Sequence, residues 1–272
     1  MTVAQVPSGE APTYTPPGTS ATAWLIARRG ALESLRDRST MVANTFFALV
    51  IPALLAVLVV RPQAAQAAQA AQAAQAAQAA GGKEAALGTA MAAYLLVVGL
   101  LPSSGSVGIA AGVFAGEKEQ GNLAPLLATP ASNVAIFAGK VLGAVLPALL
   151  YAMVAELVYL GVVALTSGAD KLRLLPPALS LAMLACVPAV AVLGAAVASL
   201  ISSRVRTYNG AQVLTSLALL PIMAALFSLA FMMREWGAPA LLAAVASLLL
   251  LDALLIALGA ATWRREEVMA QR

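Results

Sequence analysis

Two carboxylates stand where carboxylates are expensive. Glu156 and Asp252 lie inside long apolar runs of a 272-residue chain with only 16 Lys and Arg and 12 Asp and Glu. At the centre of a bilayer each would cost about 2.5–3.5 kcal/mol on insertion scales. Such a group must face protein or water, be paired, or be protonated. It serves either a path for cations or polar substrates or a polar contact between helices. Ser103, Ser104 and Ser106 of the stretch PSSGS stand beside Pro102. They can soften a gate, or only allow close helix packing. Histidine is absent, which removes the commonest general base, metal ligand and serine activator. The serines are therefore not read as protease nucleophiles. No GxxxxGK[ST] run occurs, so the chain has no phosphate loop of its own. Cys186, the single cysteine, sits in an apolar run as a small hydrophobe. No residue is assigned to catalysis, cofactor binding or a metal, and the chain is not read as an enzyme.

A second polar cluster reads differently. GEKEQGNLAPLLATP, residues 116–130, sets three charges between two long apolar stretches. Glu117 to Gln120 can carry a helix beyond the lipid, Gly121 can stop it, and Asn122 can cap a new start. Leu123, Leu126 and Leu127 fall at i, i+3, i+4 and share one side of a short helix before Pro130. Ser132 or Asn133 can cap the helix after it. The leucines can dip into lipid or dock into a groove on a partner.

The elements holding these residues follow from composition. The chain is 61% hydrophobic and 10% charged, with mean hydropathy +0.88, against about 25% charge in an ordinary soluble domain. This predicts an all-α integral membrane protein. Six spans are expected at 41–60, 85–115, 135–166, 176–201, 207–233 and 238–263, each near or above the ~20 residues a bilayer needs. Pro102 should kink the second, and Pro147 and Pro188 can bend the third and fourth. Residues 1–20 read as a disordered tail. An amphipathic helix at 21–40 precedes the spans, with Trp24, Leu25, Leu32 and Leu35 on one face and Arg28, Arg29, Glu33 and Arg36 elsewhere. It suits the membrane interface. Residues 61–84 hold (QAA)6, whose glutamines mark every ~60° around a helix and leave no side for lipid. This predicts a helix-prone or disordered loop outside the membrane, ended by Gly81 and Gly82. Counting Lys and Arg by side gives eleven against five of the 16, which favours both termini in the cytoplasm. The 117–133 loop and the 264–272 tail are then cytosolic.

GEKEQGNLAPLLATPASN resembles the cytosolic loop of the membrane subunits of type-two ABC exporters. The matching positions are Glu117, Lys118, Glu119, Gly121, Leu123, Leu126, Leu127, Thr129 and Pro130. Asn122 and Ala124 depart from the family's usual Thr and Glu. LESLRDRSTMVANTFFALVIPALL, SSRVRTYNGAQ and WRREEVM are similar, in order, to the family's first helix and span, second cytosolic loop and ending. The resemblance implies a permease subunit of the cytoplasmic (inner) membrane, paired with a second permease copy and with a separate ATPase that binds ATP and Mg. It further implies that the helix at 21–40 and the loop at 117–130 touch the ATPase, through a coupling helix between spans two and three. No nucleic-acid partner is expected from a diffuse net charge of +4. The residues alone also fit a secondary transporter or channel without an ATPase, or a scaffold that recruits a cytosolic protein. The cargo is left open.

Overall fold

The computed structural model describes residues 18–73, 77–121, 129 and 131–263. Every regular element among them is helical. In order they are α1 (Thr19–Arg36), α2 (Arg38–Leu55), a π-helical turn (Ala56–Val60), α3 (Arg61–Ala73), α4 (Ala77–Ser103) and α5 (Gly105–Glu119), then α6 (Asn133–Ser167), a 3-10 turn (Ala169–Leu174), α7 (Pro177–Ser202) and α8 (Tyr208–Thr262). Five stretches among the described residues are long and apolar enough to cross a bilayer: Met41–Gln69, Glu84–Glu119, Asn133–Ser167, Pro177–Ser202 and Leu242–Thr262.

The expected punctuation is visible at several joints. Pro102 cannot donate a backbone hydrogen bond, and the helix breaks at Ser104, between α4 and α5. The serines take up nearby carbonyls: Ser103 donates to Leu100, Ser104 to Leu101 and Ser106 to Ser103. Pro147 and Pro188 stay within α6 and α7 without ending them.

Two expectations need correction. The QAA repeat is helical over its described part, as its alanines favour, but Gly81 and Gly82 lie inside α4 and do not end a helix. The first part of the repeat also continues the helix after Val60 as α3, within the candidate span Met41–Gln69. Ala64 and Ala67 are buried with Val60, Leu87 and Met91, and Gln63 reaches the Tyr94 hydroxyl at 3.5 Å. An alanine face packs closely on α4 where a fully lipid-exposed helix would have failed.

The second correction concerns α1: its arginines do not stand apart from its leucines, and its packed side is made of small residues. Ala27 and Ala31 are buried, Gly30 meets Gly143 backbone to backbone, and Ala23 and Ile26 close on Gly139. A methyl at Gly139 would fall 2.7 Å from the Ala23 carbonyl. Gly139 and Gly143 of α6 form a groove that admits only small side chains. Trp24, Leu25 and Leu32 therefore remain exposed, on the same outer side as Arg28, Arg29 and Arg36.

α8 has 55 residues and would be about 80 Å long if straight. Yet both of its ends reach α5. Tyr208 donates its backbone N–H to Glu119 at 3.0 Å, and Ala211 packs on Ala111 and Ala115. At the other end Trp263 lies 5.4 Å from the Phe114 ring. The segment is therefore folded back on itself. Further along, Val245 packs on Ala182, Met183 and Cys186 of α7, and Cys186 is the small buried hydrophobe expected.

Candidate functional site

α5 ends as its sequence predicts. Gln120 and Gly121 return hydrogen bonds to Gly116 and Lys118, and Gly121 takes φ +71°, a conformation glycine adopts without strain. α6 begins with Ser132, whose side chain accepts from the Ala135 N–H at 3.1 Å. Between them, Leu123, Leu126, Leu127 and Pro130, with the expected coupling helix, lie outside the described residues. So do the two tails, apart from residues 18–20. Thr129 is described and exposed.

The three charges before Gly121 each engage a different helix. Glu117 forms an ion pair with Lys140 of α6 at 2.5 Å. Lys140 is only 7% exposed. Its ammonium also donates to the Val113 carbonyl at 2.9 Å and sits 4.9 Å above the Phe114 ring. Lys118 donates to the carbonyls of Ser203 and Val205, just past α7. Glu119 accepts the Tyr208 N–H at the start of α8, where a carboxylate suits the helix dipole. Glu117, Lys118 and Glu119 are thus directed toward their own chain as fasteners between helix ends.

Buried contacts beneath them strengthen the same junction. The Ser202 hydroxyl accepts from the Phe114 and Ala115 N–H groups and donates to the Ala111 carbonyl at 2.6 Å. Phe114 stacks on Phe137 at 5.6 Å, a pair worth about 0.5–1.5 kcal/mol beyond area burial. Asn133 donates to the Trp263 carbonyl at 3.1 Å, tying the start of α6 to the end of α8. In the sequence Lys140 stands out only as one of the eleven Lys and Arg counted on the cytosolic side. The signal for its role was present: a lysine eight residues into an apolar helix needs a carboxylate, and the charged run ending α5 supplies one.

The candidate path residues separate. Ser103 and Ser104 line a cleft of about 610 Å³ between α2, the α4–α5 break, α7 and the first part of α8. Asn44, Tyr208, Gln212 and Ser216 add polar groups the sequence reading did not single out. Asn44 lies against Gly105, where a Cβ would come within 2.7 Å of its Oδ1. Glu156 and Asp252 are absent from the cleft lining. Glu156 Oε1 is buried against Gly99 without a hydrogen-bond partner, and Asp252 is 3% exposed with neither oxygen bonded among the described residues.

No curated protein matches the chain. Residues 22–258 match the ABC-2 type transporter family.

Proposed function

Because the chain belongs to the ABC-2 type transporter family, the permease subunits of ABC transporters, we propose that it is the membrane half of an ATP-driven exporter coupled to a separate ATPase chain through residues 117–130. One arrangement carries the proposal. The charges before Gly121 fasten α5 to α6, to the end of α7 and to the start of α8. A force applied to the loop after Gly121 reaches three neighbouring helices at once. Leu123, Leu126 and Leu127 are the proposed apolar docking residues, with Thr129 and Pro130 in the same contact. ATP and Mg belong to the ATPase.

The folded-back α8 supports six spans, with a fifth rising from Tyr208 and a sixth returning to Trp263. The polar cleft at Ser103 and Ser104 is this subunit's share of the translocation path, and a second permease copy, as a homodimer, completes it. The Lys and Arg balance supports an inner membrane placement with both termini cytosolic.

The deciding experiment is reconstitution of the chain in vesicles with and without a separate ABC-type ATPase chain, sought first among its neighbouring genes. Transport is expected only with both chains and ATP; equal transport without them sinks the exporter reading. Leu126→Asp should insert normally but lose ATPase co-purification and at least ~90% of transport, since a carboxylate in an apolar docking site goes unpaired.

A further inference from the structure

The outer side of α1 has the make-up of a headgroup site, and we infer that it binds an anionic phospholipid of the surrounding bilayer. α1 is packed sideways on Gly139 and Gly143, which belong to the candidate span Asn133–Ser167. Its opposite side therefore looks outward at the level of a spanning helix, where Leu142 of α6 is also exposed. That side presents Leu25 and Leu32, 54% and 44% exposed, with Arg28, Arg29, Arg36 and Glu33 around them. These six residues line a shallow hollow of about 470 Å³.

Three guanidinium groups against one carboxylate leave an excess of two positive charges beside two leucines that water solvates poorly. A phosphate among the arginines and an acyl chain along the leucines satisfy both with one molecule. Guanidinium groups bind phosphate through paired N–H donors, and basic amphipathic helices bind anionic surfaces through these two terms together. Asp37 breaks the helix after Arg36, and the first candidate span starts at Met41, so α1 stays beside the bilayer.

The test is native mass spectrometry of the purified full chain titrated with phosphatidylglycerol or phosphatidylcholine. Phosphatidylglycerol should bind preferentially. Arg28→Gln with Arg29→Gln and Arg36→Gln should weaken it on the order of 100-fold, at roughly fivefold per arginine, with phosphatidylcholine unchanged. The corresponding triple Lys variant should keep most of the affinity. Leu25→Gln with Leu32→Gln should weaken both lipids. Equal binding of the two lipids by the natural chain, or undiminished phosphatidylglycerol binding by the triple Gln variant, overturns the inference. So does full competition by soluble glycerol phosphate, which marks a free-phosphate site. Loss of ATPase co-purification in the triple Gln variant, with phosphatidylglycerol retained, assigns the flank to the protein partner and also overturns it. The lipid readout needs no ATPase, so its failure is distinguishable from failure of the exporter reading.

Discussion

Lys140 and Asp252 are both ionisable side chains buried in apolar helices, 7% and 3% exposed, but the structure treats them in opposite ways. Lys140 has a carboxylate, a carbonyl and an aromatic ring within reach. Asp252 has no hydrogen-bond partner among the described residues. The first is held by specific bonds, so its surroundings are committed to one geometry. Among the described residues the second is held by packing. The difference separates a junction fastened by charged groups from a region where a carboxyl is enclosed by apolar contact.

The comparison is broken most easily at Lys140. Removing one member of a buried pair costs about 3–5 kcal/mol. Glu117 is 37% exposed, so Lys140→Met should cost somewhat less, about 2–3 kcal/mol, read from thermal melting in detergent. Glu117→Gln in the same chain should recover about half of the loss, because no carboxylate is then left stranded. Equal additive losses would show the pair to be incidental. Where a carboxyl is enclosed by apolar contact, the vulnerable point is close packing. A Cβ at Gly99 would lie 2.5 Å from Glu156 Oε1 and 2.6 Å from Val187 Cγ2. Gly99→Val should therefore cost about 1–3 kcal/mol through overpacking, and an unchanged melting point would show that α4 and α6 have room to separate.

Smaller effects sharpen the contrast. Glu119→Gln removes a charge from the start of α8 and should cost about 0.3–1 kcal/mol, while reducing transport per ATP hydrolysed more than it reduces stability. Asp252→Asn should change stability least, within about 0.5 kcal/mol, since a near-isosteric amide keeps the packing and no hydrogen bond among the described residues is lost. A loss of several kcal/mol would reveal a partner for Asp252 and close the gap between the two residues.

The parts of this architecture written in local chemistry were legible before any coordinates. Gly121 stops α5 and Ser132 caps α6 because one glycine conformation and one hydroxyl decide those events within four residues. Pro102 marks the α4–α5 break for the same reason. What could not be read depended on which helices become neighbours. An apolar face on α1 was legible, but not that Gly139 and Gly143, more than a hundred residues later, would seat its alanines. Ser202 and Lys140 acquire their roles only once α5 lies against α6 and α7. The charged run 117–119 was legible as the end of a helix, but the inward direction of its side chains was not. The polar lining of the cleft was half visible: the serines follow a proline, whereas Asn44 and Gln212 reach it from other helices.

The doubling back of α8 has a mechanical result. Its two limbs share one anchorage, near Phe114 and Glu119, and a limb of about half its 55 residues reaches about 40 Å from it. A rocking of about 5° at the anchored base would swing the far bend by about 3.5 Å. A small rotation at the base thereby becomes a larger displacement at the bend, without any helix having to unwind.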